Sequence, residues 1–160
     1  MVIALTAHHV DISHDTLGIT DYTRTDDPRK PASHDCITVS SIMTRDVASM
    51  DHAKTAHDAA QMMLEKKIGS VLVTAYGKPF GIVTERDLAR IMAIIDIPGN
   101  CLILSFLASR PLVCASPACT ISDAAGIMAQ YNIDHLPILE NNKIVGMVTT
   151  HDLAMYLLYA

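Results

Sequence analysis

Half of the 160 residues are hydrophobic, only 4% are aromatic and none is Trp, so the core must be built from Ile, Leu, Val, Met and Ala. A formal charge of −5 argues against a general nucleic-acid or membrane-surface binder, which needs a basic patch. No apolar run reaches the ~18–20 residues of a membrane span, the short apolar start Met1–Leu5 lacks a positive flank, and Cys36, Cys101, Cys114 and Cys119 show no CxxC pattern, so reduced thiols in a cytoplasmic protein are expected.

Residues 1–38 set Asp11, Asp15, Asp21, Asp26, Asp27 and Asp35 against Arg24, Arg29 and Lys30, and Pro28 and Pro31 flank a polar stretch. Hydrophobic periodicity is weak after Leu5. This acidic N-terminal extension is expected to be a flexible tail or linker, with at most a short ordered piece at its start. His8, His9, Asp11 and His14 would approach one another only on a helix, so no metal site is assigned there.

From residue 39 the chain repeats itself. A shift of 65 places Gly81-Ile82-Val83-Thr84-Glu85-Arg86-Asp87-Leu88-Ala89 on Gly146-Met147-Val148-Thr149-Thr150-His151-Asp152-Leu153-Ala154. It also matches Asp58-Ala59-Ala60 to Asp123-Ala124-Ala125. A repeat this long calls for two copies of one supersecondary unit.

In chain order, each copy starts with a short helical lead-in (Ser40–Thr44; Leu104–Ser109) and a brief strand (Val47–Met50; Leu112–Ala115). A helix begins at Thr55 or Thr120, where the hydroxyl can cap and Asp58 or Asp123 meets the dipole. Ala56, Ala59, Ala60 and Met63, like Ile121, Ala124, Ala125 and Met128, form one apolar face at i, i+3, i+4, i+7. A buried strand (Val71–Thr74; Leu136–Leu139), a tight turn and a second strand (Phe80–Val83; Ile144–Val148) predict a hairpin. The last helix runs from Glu85 to about Ile95, or from Thr150 to about Tyr159. The fold class is α/β (α+β): two β-α-β-β-α units, 39–98 and 99–160 with the joint at Pro98-Gly99-Asn100, packed through their sheets with pseudo-two-fold symmetry.

The repeated motif suggests a binding chemistry. Gly81 and Gly146 leave room for a ligand to approach the backbone. Thr84 and Thr149 would offer a hydroxyl and free N–H groups to a phosphate at a helix N-terminus, and Asp87 and Asp152 could accept both hydroxyls of a ribose. The same Thr-x-x-Asp spacing is also an ordinary helix cap.

A unit ending in G-h-V-T-x-x-D-L and present twice resembles a tandem pair of cystathionine-β-synthase (CBS) domains, called a Bateman module, over residues 39–160. The resemblance implies a non-enzymatic regulatory or sensor protein that binds an adenosine-containing ligand, such as AMP, ADP, ATP or S-adenosylmethionine, in composite clefts between the repeats. It places Thr149 and Asp152 with Thr44, Ala48, Ile68, Gly69 and Ser70 in one cleft, and Thr84 and Asp87 with Ser109, Val113, Ile133, Asp134 and His135 in the other. Ile68 and Ile133 would sandwich an adenine, although both equally suit a core. Arg86, Arg45 and Arg110 are candidate phosphate contacts, His151 replaces Arg86 in the second copy, and Asp134 would repel phosphates.

The resemblance also implies a homodimer through helical faces such as Ile91–Ile95 and Met155–Tyr159, and a regulated protein partner that the sequence does not name. The alternative function is a ligand-free dimerisation or scaffold module acting through the N-terminal extension. No nucleophile–base pair, metal triad or Walker-type loop is legible, so binding rather than turnover is expected.

Overall fold

The structure, a computed structural model, describes residues 19–22 and 37–159. In the first repeat, strand β2 (Ser49–Asp51), helix α1 (Ala56–Lys66), the hairpin β3 (Ser70–Ala75) and β4 (Lys78–Thr84), and helix α2 (Glu85–Ile94) follow the predicted order. The second repeat has a short helix α3 (Leu104–Leu107), then β5 (Leu112–Ala115), α4 (Ile121–Tyr131), β6 (His135–Glu140), β7 (Lys143–Thr149) and α5 (Thr150–Tyr159). A 3₁₀ turn at Val39–Ser41 takes the place of α3 in the first repeat.

Local chemistry explains these boundaries. Thr55 and Thr120 cap α1 and α4, accepting the N–H of Asp58 and Asp123. Both helices end on a left-handed residue, Lys67 (φ 55°) and Asn132 (φ 52°), which turns the chain back toward the sheet. The hairpins turn through Tyr76-Gly77 and Asn141-Asn142, all at positive φ, the geometry that matches strand twist in two-residue loops. Each hairpin carries an irregularity at the same place, between Val73 and Thr74 and between Ile138 and Leu139.

Within each repeat the first strand runs parallel to the first hairpin strand, and the hairpin itself is antiparallel. The sheets are ordered β2-β3-β4 and β1-β5-β6-β7. Strand β1 (Ile19–Tyr22) lies within the N-terminal extension, where the pattern announced no strand, and pairs with β5 from Ile19↔Leu112 to Tyr22↔Ala115. In the first repeat the strand sits later than its Val47–Met50 pattern, at Ser49–Asp51, because pairing with Leu72–Thr74 defines it.

The lead-in segments are exchanged. Val39 and Met43 precede the first repeat but pack in the core of the second, against Ala124, Met128, Leu136, Ile138 and Val148. Leu104 packs among Ala59, Met63, Val71, Val73 and Val83 of the first. Four backbone bridges fix the exchange, and they come in pairs related by the 65-residue shift. Thr44 pairs with Met147 as Ser109 pairs with Ile82, and Thr38 pairs with Thr120 as Ile103 pairs with Thr55. A third apolar cluster, Leu72, Leu112, Cys114 and Leu139, joins the two sheets. Separating the repeats would expose all three cores.

This crossing corrects the role expected for the motif glycines. A Cβ at Gly81 would stand 2.9 Å from both the Ala108 Cβ and the Ser109 carbonyl oxygen, and one at Gly146 would overlap the Met43 side chain. The absent side chains admit the other repeat's lead-in segment rather than a ligand. In β-sheets such glycines mark a close backbone approach.

Candidate functional site

The exchange brings the N-terminus of α2 against the second repeat. Gly69, Ile82, Thr84, Glu85, Arg86, Asp87 and Arg90 of the first repeat face Ser109, Asn132, Ile133, Asp134 and His135 of the second across a cleft of ≈ 350 Å³. Ile82 and Ser109, joined by an antiparallel bridge, both line it.

At the mouth of the cleft, Thr84 and Asp87 form a capping box. The Thr84 hydroxyl donates to Asp87 Oδ2 at 2.7 Å, the Thr84 N–H donates to the same oxygen at 2.9 Å, and the Asp87 N–H donates back to Thr84 Oγ1 at 3.2 Å. The Glu85 N–H donates to the Gly69 carbonyl at 3.0 Å. The Thr84 hydroxyl and the Thr84, Glu85 and Asp87 N–H groups, expected to face a phosphate, have these partners within the chain. They are spent on the protein, and the Thr84 oxygen keeps only acceptor capacity. Asp87 Oδ1 accepts no hydrogen bond among the described residues, and the carboxylate is half-buried.

Thr149 and Asp152 form the same box on α5, at 2.7, 2.8 and 3.2 Å. Thr55–Asp58 and Thr120–Asp123 also pair hydroxyl to carboxylate, at 2.9 and 2.8 Å. Capping is thus common to four helices and does not mark a site by itself. Position does: Thr84 and Asp87 open on an inter-repeat cleft.

The other predicted residues take varied places. Arg86 pairs with Asp134 at 2.6 Å, from one repeat to the other. Ser109, Ile133 and His135 line the cleft with Thr84 and Asp87. Val113 does not; it packs against the second repeat's core, because the inward pleat of β5 faces that way. Ile68 packs against the first repeat's core.

On the matching crossing, Thr44 pairs with Met147, two residues before Thr149, through two N–H···O bonds at 2.9 Å. The Ala48 carbonyl there accepts the Leu72 N–H, and Ser70 is buried in register with Thr84. Arg110 and Arg45 serve elsewhere: Arg110 lies over the Phe80 ring at 4.4 Å, and Arg45 donates to the Ser40 carbonyl at 3.2 Å. His8, His9, Asp11 and His14 lie outside the described residues.

His135 sits at the centre of the assembly. Its ring reaches within 3.2 Å of where a Gly69 Cβ would stand, and its Nδ1 is buried without a hydrogen-bond partner. Burial pushes its pKa below the ordinary 6.5, against the opposing pull of Asp134, Glu85 and Asp152. The lowered pKa favours a neutral imidazole beside the cleft at neutral pH, with its Nδ1 shut away from solvent.

Sequence reasoning missed Ile82, Glu85, Arg90 and Asn132 as lining residues, and it expected Gly69 beside Thr149, whereas Gly69 lines the Thr84 cleft, where the His135 ring packs close to it. Arg90 carried a readable signal, since it stands four residues after Arg86 on one helical face. Asn132 carried none before the α4 cap placed it. A second cavity of ≈ 400 Å³, between α1, α2 and the linker, is lined mainly by apolar groups such as Leu88, Ile91, Met92 and Ile97 and does not include the motif's Thr or Asp.

The two repeats agree with the comparisons. The sequence model of the CBS domain matches residues 39–94 and 104–159. The chain belongs to the CBS domain family. It is 33% identical over 117 residues to the CBS domain-containing protein YhcV of Bacillus subtilis, covering 73% of this chain and 83% of that one. Other relatives are longer: the chain covers 61% of one archaeal protein and 22–23% of several enzymes.

Among solved structures, a conserved protein from Pyrococcus horikoshii superposes on the CBS pair with a TM-score of 0.72 at 24% identity, covering 78% of this chain and 95% of that one. The CBS domain pair of protein MJ0100, in complex with 5′-methylthioadenosine and S-adenosyl-L-methionine, superposes with a TM-score of 0.68 at 22% identity, covering 76% and 96%. At these identities the likeness shows the fold. No helix among the described residues is long and apolar enough to cross a membrane.

Proposed function

We propose that this CBS pair is a regulatory sensor that binds an adenosine-containing ligand between its repeats and so changes its affinity for a protein partner. AMP, ADP, ATP and S-adenosylmethionine are the candidate ligands. The observation that carries the reading is Asp87, whose carboxylate stands at an inter-repeat cleft with Oδ1 accepting no hydrogen bond among the described residues. That oxygen can take a ribose hydroxyl, and Ile82 and Ile133 supply apolar surface for a base. The complex of the MJ0100 pair with adenosine compounds supports the choice of ligand class.

A ligand touching both repeats binds best to one relative placement of them, and so shifts the population of that placement. The chemistry at the cleft is that of holding rather than turnover, since Thr84 and Asp87 are committed to one another. Association of two copies would cover the exposed Met92 and Ile94 of α2 and the exposed Leu157, Leu158 and Tyr159 of α5.

A second reading draws on β1. Residues 19–22 of the N-terminal extension pair with the second repeat's sheet, which fits a scaffold that holds this extension. Thermal unfolding with each candidate ligand separates the two. At 100 times Kd a ligand stabilises by ~2.7 kcal/mol, a rise in midpoint of about 5–10 °C for this chain length. Asp87→Asn with Asp152→Asn should remove the rise. No rise with any adenosine compound would leave the scaffold.

A further inference from the structure

We propose that Asp134 is a charge gate on the Thr84–Asp87 cleft: it competes with a ligand's anionic group for Arg86 and so biases this cleft against phosphate-bearing ligands. The inference rests on the reading of the cleft as an adenosine site.

Arg86 is the second residue of α2, where the partial positive charge of a helix start disfavours a cation. Asp134, from the other repeat, holds it there at 2.6 Å. Among the lining residues, Glu85, Asp87 and Asp134 outnumber Arg86 and Arg90, and burial keeps the His135 imidazole from adding positive charge. A phosphate approaching Arg86 must displace a carboxylate already seated. It then leaves that carboxylate close to its own negative charge. The bridge is half-exposed, with side chains 52% and 42% accessible, so it is worth a few-fold in an equilibrium constant rather than a lock.

The gate belongs to one cleft. The 65-residue shift replaces Glu85 with Thr150, Arg86 with His151 and Asp134 with Gly69. Gly69 is constrained by packing, because the His135 ring occupies the space a side chain would need. The Arg86–Asp134 bridge therefore has no counterpart among the residues that the 65-residue shift puts around Thr149.

The test is calorimetric titration of the full chain with adenosine, AMP and ATP, with and without Asp134→Asn, in an Asp152→Asn background that silences the other cleft. Asp134→Asn should raise the AMP-to-adenosine affinity ratio ~3–10-fold, and the ATP ratio at least as much, because an opposing charge leaves the phosphate end. Adding Arg86→Gln should return the ratio toward one. Thermal midpoints confirm that each variant is folded, and Asp134→Ser gives the same reading should Asp134→Asn fail to fold. An unchanged ratio with adenosine still bound overturns the gate alone. If the chain with its Asp152 intact binds none of the three compounds, the adenosine reading falls and the gate falls with it.

Discussion

Replacing Gly81 by Ala tests whether the lead-in crossing, rather than a ligand, explains the motif glycine. The added Cβ would sit 2.9 Å from the Ala108 Cβ and the Ser109 carbonyl oxygen and 3.1 Å from Arg110 Cγ, where ordinary contact begins at 3.4 Å. Two of these three neighbours are a backbone atom and a Cβ, which move only if the crossing segment moves. Overpacking of this kind costs about 1–3 kcal/mol. The reduced freedom of the unfolded chain returns about 0.4–1 kcal/mol, because Gly81 does not use positive φ. The net loss is about 0–2.6 kcal/mol, with a middle value of about 1.3 kcal/mol, or a fall of about 3–5 °C in midpoint at this chain length. Gly146→Ala should lose stability as well, since its Cβ would overlap the buried Met43 side chain as far in as the Met43 Cβ. Urea unfolding of the two variants gives both numbers. Gly81→Ala and Gly146→Ala both as stable as the wild type would refute the reasoning.

Three more predictions concern separate parts of the molecule. Thr55→Ala removes a cap remote from the cleft, so it should cost about 1 kcal/mol in urea unfolding while leaving adenosine affinity unchanged. Leu104→Ala, at a fully buried site, should cost about 2–5 kcal/mol, and hydrogen exchange should show α1 and β3 losing protection before α4 and β6. His135 binds a proton less readily in the folded chain than at its ordinary 6.5, so below that value the unfolded chain gains a proton that the folded chain refuses. Stability should therefore fall as the pH drops from about 6.5 through the lowered folded value, and urea midpoints of His135→Gln should fall less over that range.

The repeat made the element order legible, because helix caps, apolar faces and turn residues are local and were present twice. Thr55 and Thr120 announced helix starts that the backbone then used. The exchange of lead-in segments was less legible. Val39 and Leu104 are apolar in either arrangement, and only the backbone bridges at residues 38, 44, 103 and 109 say which core each enters. Strand β1 escaped for a related reason: Ile19-Thr20-Asp21-Tyr22 is too short and polar to signal itself, and it forms by pairing with an edge 93 residues away at Leu112. In the site, the Thr–Asp pairs were readable from spacing. The Arg86–Asp134 bridge was not, since its members lie 48 residues apart in different repeats.

The central claim is that an adenosine ligand occupies the cleft between the repeats. Methyl NMR of isoleucine-labelled protein titrated with adenosine and AMP tests it directly, because isoleucines mark both cavities. The account predicts saturable shifts at Ile82 and Ile133, which line the inter-repeat cleft, lost on Asp87→Asn. Shifts confined to Ile91, Ile95 and Ile97 around the apolar cavity, or no shift at saturating ligand, would contradict it.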